Sequence, residues 1–213
     1  PLQGQLENTM PNSAKVRAAH LEVATPMPLP GMPALDLPLA FPAALRPAVA
    51  ALTAGAAWRP DGRHYSYQVT LEGETLTIPS RLYFDRGLPL DDDGRSATER
   101  GVAWCLGTRH HDGYLREACL ARLLAAPQGW MAPFIVHLVG EYVDEIVQRI
   151  EAALPDFAPN MRTALAAFVR ENPRYLDTIE RRTISYRPYL CPASESYPGK
   201  RVMACLRALG REA

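Results

Sequence analysis

The sequence has few cysteines, and none of them lie close together. Its four cysteines form no Cys-x-x-Cys pair. They are Cys105, Cys119, Cys191 and Cys205. This spacing disfavours a structural zinc cluster and gives no indication of a disulfide framework. Reduced thiols are typical of a cytoplasmic protein, and we expect that location.

The sequence also lacks an excess of charge of either sign and any long apolar run. Basic and acidic residues number 23 each, so the basic surplus of a dedicated nucleic-acid-binding protein is missing. No apolar stretch approaches the ~18 residues of a membrane-spanning helix. The first residues have no basic region followed by an apolar one, as a signal peptide would. We therefore expect neither membrane nor nucleic acid as a partner.

The common cofactor and nucleophile motifs are missing too. The sequence contains no Gly-x-x-x-x-Gly-Lys-Ser/Thr or Gly-x-Gly-x-x-Gly loop, no His-Glu-x-x-His and no Gly-x-Ser-x-Gly. We therefore predict no cofactor. At 47% hydrophobic and 22% charged residues, the composition is nevertheless that of a globular protein with a sizeable core.

Proline, by contrast, is abundant near the N-terminus, where half of the 20 prolines fall within the first 60 residues. Proline lacks the amide hydrogen and restricts its predecessor, so the stretch 24–42 is not expected to hold a helix or a central strand. We predict an extended arm over residues 1–42 that lies against the domain surface. A short helix is predicted next, over 43–57, with Pro47 near its first turn.

A β-hairpin is predicted after this helix. Apolar and polar residues alternate over 65–71 and again at Leu76 and Ile78, on either side of Glu72-Gly73-Glu74. Alternation interrupted by a glycine-containing turn is typical of two antiparallel strands. Pro79 ends the second strand or puts it at an edge. The helix and hairpin make up a predicted subdomain, 43–95.

From residue 96 onward the pattern is helical. Ser96 and Glu99 have the spacing of a capping box, in which each side chain accepts a backbone amide of the other. Helices are predicted at 97–109, 113–126, 133–153, 161–171, 174–182 and 199–209. Asn160 is the predicted cap of the fourth helix, and 183–199 is predicted to be irregular or a short strand. These helices form the predicted domain 96–213.

Two of these helices resemble each other. Aligning Arg116 with Arg162 gives an offset of 46 residues, close to the period of armadillo and HEAT arrays. The pattern Asp-x-x-Leu-Arg-Glu-Ala from Asp112 resembles the second helix of a HEAT repeat, over roughly residues 96–171. The resemblance implies a ladder in which Arg116 and Arg162 contact Asp112 or Asp156. The expected fold is thus mainly α: HEAT-like stacked helical hairpins, a small antiparallel β-hairpin and a proline-rich arm.

His110, His111 and Asp112 are the first candidate site. Adjacent helical residues point about 100° apart, so two neighbouring imidazoles do not easily bind one ion. Asp112 is placed to cap a helix that starts at Gly113. The favoured interpretation is a polar turn between helices. The alternative is a metal or acid/base site.

His137 and Glu141 are the second candidate site. They are four residues apart within the predicted third helix, a spacing that suits a metal or a base oriented by a carboxylate. A simple hydrogen bond between them is the favoured interpretation. With His110, His111 and Asp112, His137 completes the metal-ligand set of the alternative function.

Two groups of residues are predicted to face a partner. The first is an acidic and aromatic patch consisting of Glu141, Tyr142, Asp144 and Glu145. The second interleaves cations with aromatics and includes Arg181, Arg182 and Arg187. With zero net charge, a protein is favoured over a nucleic acid as the partner of the second group.

The sequence as a whole predicts a non-enzymatic protein-binding module. Its Ala-, Arg-, Leu- and Pro-rich composition suggests a bacterial origin. Small bacterial proteins of this kind serve as adaptors or as immunity proteins that neutralise a toxin. The alternative is a metal-dependent or acid/base hydrolase centred on His110, His111 and Asp112.

Overall fold

A computed structural model of the chain describes residues 36–54, 58–60, 66–84, 94–190 and 197–212. The predictions for residues 1–35 of the arm lie outside this part. In it the α-helices are α1 Arg46–Thr53, α2 Ala97–Gly107, α3 Gly113–Ala125, α4 Ala132–Val139, α5 Asp144–Ala153, α6 Pro159–Glu171, α7 Pro173–Leu190 and α8 Pro198–Glu212. The strands are β1 Trp58–Pro60, β2 Ser66–Leu71, β3 Glu74–Pro79 and β4 Leu82–Phe84. Short 3₁₀ helices span Leu37–Ala40, Ala43–Leu45, Gly129–Met131 and Leu154–Asp156. The predicted mainly α fold with a small β-hairpin is confirmed.

The hairpin consists of β2 and β3, as the alternation predicted. Val69 lies opposite Leu76, and both are buried. Glu72 and Gly73 form the turn with φ angles of 52° and 81°. Two consecutive positive φ angles give the turn a twist that matches the twist of the strands. Pro79 ends β3, so the strand stops where its backbone loses an amide donor.

The second strand pair brings the chain after the hairpin against the end of α2. β1 and β4 are antiparallel, and Leu82 of β4 also bridges to His110. The amide of Leu82 donates to the Arg109 carbonyl at 2.7 Å, and the His111 amide donates to the Leu82 carbonyl at 3.1 Å. These bonds fix residues 109–111 beside β4.

The end of the proline-rich segment belongs to the core. Leu37, Ala40 and Phe41 are buried, and the Phe41 ring stacks on Phe134 with centroids 5.0 Å apart. The expectation of an extended segment without a helix is wrong for Leu37–Ala40, which form a 3₁₀ helix. The 3₁₀ helix tolerates Pro38 because this residue lies in its first turn, where an amide hydrogen would have no partner within the helix.

The predicted third helix is two helices. α4 ends at Val139 with Gly140 as its C-cap, and α5 starts at Asp144. Both helices are apolar toward the core, so the hydrophobic pattern runs through the break. A Cβ on Gly140 would lie 3.4 Å from Ile179 of α7, so the chain turns where it passes α7 closely.

Other helix boundaries also differ from prediction. α6 begins at Pro159 with Ala158 as its N-cap, so Asn160 lies inside the helix and does not cap it. α7 continues to Leu190 through residues predicted to be irregular. The capping box of Ser96 and Glu99 is confirmed.

The contacts implied by a HEAT-type ladder are not formed. Arg116 bonds other groups, and the Asp112 side chain accepts the Tyr114 amide at 2.9 Å. Asp156 and Arg162 are both exposed. α3 packs against α2 and α5, whereas α6 packs mainly against α8. The ladder prediction for Arg116 is wrong, and the assignment to HEAT-like repeats stays a prediction.

Asn172 joins the hairpin to the helices. Its Oδ1 accepts the Thr70 amide at 2.7 Å, and its Nδ2 donates to the Thr70 carbonyl at 2.6 Å. Nδ2 also donates to the Phe168 carbonyl of α6 at 2.8 Å. The side-chain amide therefore pairs with β2 as a neighbouring strand would.

A single hydrophobic core joins these elements. Its buried residues extend from Leu37 to Leu206 and come from the hairpin and from both halves of the helical region. All described residues belong to one compact unit, Pro33–Ala213. The segments 43–95 and 96–213 therefore share their core.

Candidate functional site

Three arginines from different parts of the chain converge on one buried carboxylate. Arg81 binds Glu141 with both ends of its guanidinium, each at 3.0 Å. Arg109 Nη2 donates to Oε1 of Glu141 at 3.1 Å, and Arg116 Nη2 is 3.4 Å from Oε2. We call Arg81, Arg109, Arg116 and Glu141 the arginine–glutamate cluster. The side chains of Arg109, Arg116 and Glu141 are inaccessible to solvent, and that of Arg81 is 18% exposed.

Local structure brings these four residues together. Arg81 immediately precedes β4, whose bonds to residues 109–111 put it beside Arg109. Arg116 lies on the apolar face of α3, with Cys119, Leu120 and Leu123 as its buried neighbours along the helix. Glu141 follows the turn at Gly140, which directs the chain away from the axis of α4. The break between α4 and α5 thus supplies the carboxylate.

Arg116 also binds the end of the turn after α2. Its Nη1 donates to the carbonyls of His110 at 3.0 Å and His111 at 2.8 Å. Both carbonyls lie between the C-cap of α2, Thr108, and the N-cap of α3, Asp112, and hydrogen bonds from a charged guanidinium are stronger than those from neutral donors. Arg116 therefore holds the interhelical turn and the carboxylate at once.

The electrostatics keep Glu141 ionised. Burial acts to raise the pKa of the carboxyl, but the charges of Arg109, Arg81 and Arg116 outweigh burial and hold the pKa below its ordinary value. Burial lowers the pKa of Arg109 to about 10, although Glu141 opposes this change. Arg109 remains charged at neutral pH. The cluster therefore contains one negative charge and three positive ones.

Several donors of the cluster have no acceptor. Within the described part of the chain, Nε and Nη1 of Arg109 are buried without a hydrogen-bond partner. Nε of Arg116 is likewise unsatisfied, and its Nη2 has the ion-pair contact with Glu141 but no aligned hydrogen bond. A buried unsatisfied donor destabilises a protein by roughly 1–3 kcal/mol, and more when it is charged. The site thus has more donors than its own acceptors satisfy.

A second polar group adjoins the cluster. His137 Nδ1 and the Tyr175 hydroxyl are 2.7 Å apart, and Arg182 donates to the Tyr67 hydroxyl at 3.0 Å. Burial, followed by the charges of Arg109, Arg182 and Arg81, lowers the pKa of His137 well below its ordinary value. Burial raises the pKa of Tyr175. Both groups are neutral at pH 7, so they do not offset the positive charge.

The His-His-Asp segment forms the turn that was the favoured interpretation. Asp112 caps α3, and Nδ1 of His110 accepts the Asp112 amide at 3.1 Å. Nε2 of His110 is 3.3 Å from the Phe84 carbonyl, to which it donates when Nδ1 accepts. Both nitrogens of His110 are therefore engaged. His111 is exposed.

The alternative metal set is not brought together. In the residues that the structure describes, no three His, Cys, Asp or Glu side chains are grouped as a metal site. His137 bonds Tyr175 from inside the protein, while His110 bonds the backbone of its own turn and β4. Nor do His137 and Glu141 form the predicted pair, because Glu141 lies beyond the end of α4 and binds arginines.

Several aromatic side chains lie at the protein surface next to the arginine–glutamate cluster. Tyr83 stacks on His111 with centroids 4.7 Å apart and planes at 10°. The ring of Tyr142 lies over Arg116, 5.9 Å from its guanidinium carbon. Tyr114, in the first turn of α3, is 85% exposed. We call Tyr83, His111, Tyr114 and Tyr142 the tyrosine surface.

The segment after α4 packs against the start of α3. A Cβ on Gly113 would lie 3.6 Å from Val143 and 3.7 Å from Nη2 of Arg116. Tyr142 precedes Val143 and Tyr114 follows Gly113, so the tyrosine surface spans this junction. The buried guanidinium of Arg116 lies beneath the Tyr142 ring.

The predicted acidic patch is only partly at the surface. Glu141 is fully buried, so its inclusion in a partner-facing patch is wrong: its charge is paired with arginines inside the protein. Tyr142 and Glu145 are exposed, and Asp144 is half-buried with Oδ2 accepting from Gln148 at 2.5 Å. Asp144 and Glu145 lie in the first turn of α5, where negative charge is favourable.

Two of the three arginines in the second predicted group have described side chains, and their environments differ. Arg181 is exposed and donates to Thr178 at 3.0 Å. Arg182 is partly buried and bonds Tyr67. Arg187 lies in α7, and its side chain falls outside the described part of the structure, so the binding face of these three arginines stays a prediction.

The comparisons with known proteins give no relative for this fold or site. No protein-family model matches the chain, and neither a curated protein nor a solved structure is significantly similar to it. The described helices also include none with the length and apolarity needed to cross a membrane.

Proposed function

We propose that this chain is a non-enzymatic protein-binding module and that the tyrosine surface is its contact area. The observation that carries the proposal is the exposure of the three tyrosines of this surface. Tyr114 is 85% exposed, Tyr142 52% and Tyr83 36%. Tyrosine is enriched in protein interfaces because it offers a large apolar area with a polar end and has few rotamers to restrict.

The buried layer beneath supports this proposal. Tyr142 lies over Arg116, which is held by Glu141 and by the carbonyls of His110 and His111. Tyr83 is held against His111 by stacking. Side chains that are already positioned lose little conformational entropy on binding, so a preorganised surface binds more tightly than a mobile one of equal area.

The proposed role is that of an adaptor or of a bacterial immunity protein that neutralises a toxin. The proposal includes a cytoplasmic location, which is supported by the absence of disulfides at Cys105 and Cys205. The two roles differ in their partners. An immunity protein binds one toxin and abolishes its toxicity when coexpressed, whereas an adaptor binds two proteins at once.

The test is affinity capture with the full-length tagged chain from a lysate of the encoding organism. Mass spectrometry would identify the captured proteins, and metal analysis would be run on the same eluate. We expect one stoichiometric partner and no stoichiometric metal. Replacing Tyr114 and Tyr142 together by serine should remove the partner, because both exposed rings are lost.

Ile184→Ser is the matched control. Ile184 is 61% exposed on α7 and is not part of the tyrosine surface, so this variant should retain the partner. A partner that binds the double tyrosine variant as well as it binds wild type contradicts the proposed contact area. Bound metal near one per chain without any partner contradicts the protein-binding function itself.

A further inference from the structure

We infer that the arginine–glutamate cluster binds a small oxyanion, of the carboxylate or phosphate type, between Arg109 and Arg116. This inference does not depend on the proposed protein-binding function. It rests on the imbalance of charge and of hydrogen-bond donors in the interior of the protein.

The charge imbalance is the first argument. Arg109, Arg116 and Glu141 are the buried charged residues of the described chain, and Arg81 adds a third, mostly buried guanidinium. One carboxylate therefore faces three cations. Charges inside proteins are normally paired because an unpaired ion loses its hydration without compensation.

The donors give the second and independent argument. Arg109 offers Nε and Nη1, and Arg116 offers Nε and Nη2, all buried and without an aligned acceptor in the described residues. Bound water would satisfy some of these donors but would not reduce the net charge. An anion would do both.

The geometry of the donors indicates the class of anion. A guanidinium presents its N–H groups in a planar fork that matches two oxygens of a carboxylate or phosphate. Glu141 already occupies one donor of Arg109, so the incoming anion would use the remaining donors of both arginines. A small ion suits this position because the donor atoms are all inside the protein.

Access is expected from the side of Arg81 and Tyr142. Arg81 is the cluster member with solvent exposure, at 18% of its side chain. The Tyr142 ring, itself 52% exposed, lies over Arg116. The Tyr142 ring therefore lies between the buried guanidinium of Arg116 and the solvent.

The test is thermal unfolding of the full-length chain at pH 7, with sodium phosphate or sodium acetate replacing chloride at constant ionic strength. We expect a rise in melting temperature of about 3–6 °C when the anion is at ten times its dissociation constant, and above this constant the rise should follow the logarithm of anion concentration. A response to phosphate alone identifies a phosphoryl ligand, and a response to both shows that a carboxylate is also accepted. The inference is overturned if neither anion raises the melting temperature above its value in chloride.

Two variants distinguish binding at a specific anion site from a general stabilisation of the protein by salt. Arg116→Gln should lose most of the anion-dependent rise. Arg207→Gln, which removes an exposed arginine paired with Asp177 and Glu180, should keep all of it. Equal responses in these two variants overturn the inference.

Glu141→Gln is expected to change anion affinity in the opposite direction. It tests the inference even if Arg116→Gln does not fold. It removes the competing negative charge and keeps the shape of the side chain. Without anion its melting temperature should fall below that of wild type, yet its affinity for phosphate in calorimetric titration should increase by about tenfold or more. Unchanged or weaker affinity than wild type contradicts an anion site at the cluster.

Discussion

The arginine–glutamate cluster and the ion pairs between α7 and α8 contain the same chemical groups in opposite environments. Arg207 of α8 binds Asp177 at 2.8 Å and also Glu180, but these side chains are 34%, 53% and 40% exposed. The side chain of Glu141 has no exposure at all. The two regions have similar contact distances and differ in the solvent exposure of their charged side chains.

The two regions differ in whether water can solvate a charged side chain after its ion-pair partner is removed. Water solvates a surface carboxylate or guanidinium whose partner is removed, so exposed ion pairs contribute about 0–1 kcal/mol. The side chains of Arg109, Arg116 and Glu141 are inaccessible to bulk solvent, so an arginine that loses its carboxylate there does not regain its full hydration. Removing one member of the buried cluster therefore costs more stability than removing one member of an exposed pair, because it leaves a buried charge without its partner.

The largest expected effect is that of Glu141→Ala. Removing the carboxylate leaves Arg109 and Arg116 buried without a counter-charge, and we expect a loss of about 3–5 kcal/mol in the free energy of unfolding. Urea unfolding followed by circular dichroism would measure it. Glu180→Ala removes an exposed carboxylate from an arginine and should cost about 1 kcal/mol or less. Similar losses in both variants would contradict the distinction between the two regions.

The next effect is a loss of stability in acid. The unfolded chain protonates His137 near its ordinary pKa of 6.5, whereas burial lowers the pKa in the folded protein. The unfolded state therefore binds more protons as pH falls below about 6.5, and stability decreases by at most about 1.4 kcal/mol per pH unit for this residue. The lowered pKa of Glu141 adds a further loss below its ordinary value of 4.5.

Unfolding measured from pH 8 to pH 4 would test this dependence. His137→Gln should reduce the slope between about pH 6.5 and pH 5, since position 137 then has no group to protonate, and a smaller slope should remain because burial also lowers the pKa of His110. Stability of wild type that is constant from pH 8 to pH 5 would argue against a buried, neutral His137.

A smaller effect is expected from Asp112→Ala. Asp112 caps α3 from an exposed position, and loss of such a cap costs about 1 kcal/mol. Its turn also carries the carbonyls that Arg116 binds, so the loss should exceed that of Ser96→Ala in the capping box of α2. Equal losses, measured by urea unfolding, would show that the turn does not depend on the buried arginine.

The smallest effect is expected from Arg207→Gln. Its pairs are exposed and screened by salt, so we expect a change below about 1 kcal/mol that vanishes in ~1 M NaCl. Thermal unfolding at low and high salt would measure it. A large loss that persists in high salt would mean that the exposed pairs behave like the buried cluster.

The sequence predicted those features that depend on neighbouring residues. The hairpin turn at Glu72-Gly73, the capping box of Ser96 and the cap at Asp112 all follow from local chemistry. The break at Gly140 was missed because apolar residues continue on both sides of it. There, tertiary packing against α7 overrides a helical pattern.

The cluster could not be predicted in full, because Arg81, Arg109, Arg116 and Glu141 are far apart along the chain. One signal was present. Arg116 has the helical spacing of Leu120 and Leu123, which placed a charged residue on an apolar face. A charge in such a position indicates a buried partner, but the sequence does not say which carboxylate supplies it.

The pairing of Asn172 with Thr70 has a consequence for aggregation. An exposed strand edge offers unpaired amides and carbonyls onto which another chain can add. The Asn172 amide occupies both groups of Thr70, so that position of β2 is closed to a second molecule. One side chain of a helix thus protects a two-stranded sheet from growing into a larger, intermolecular one.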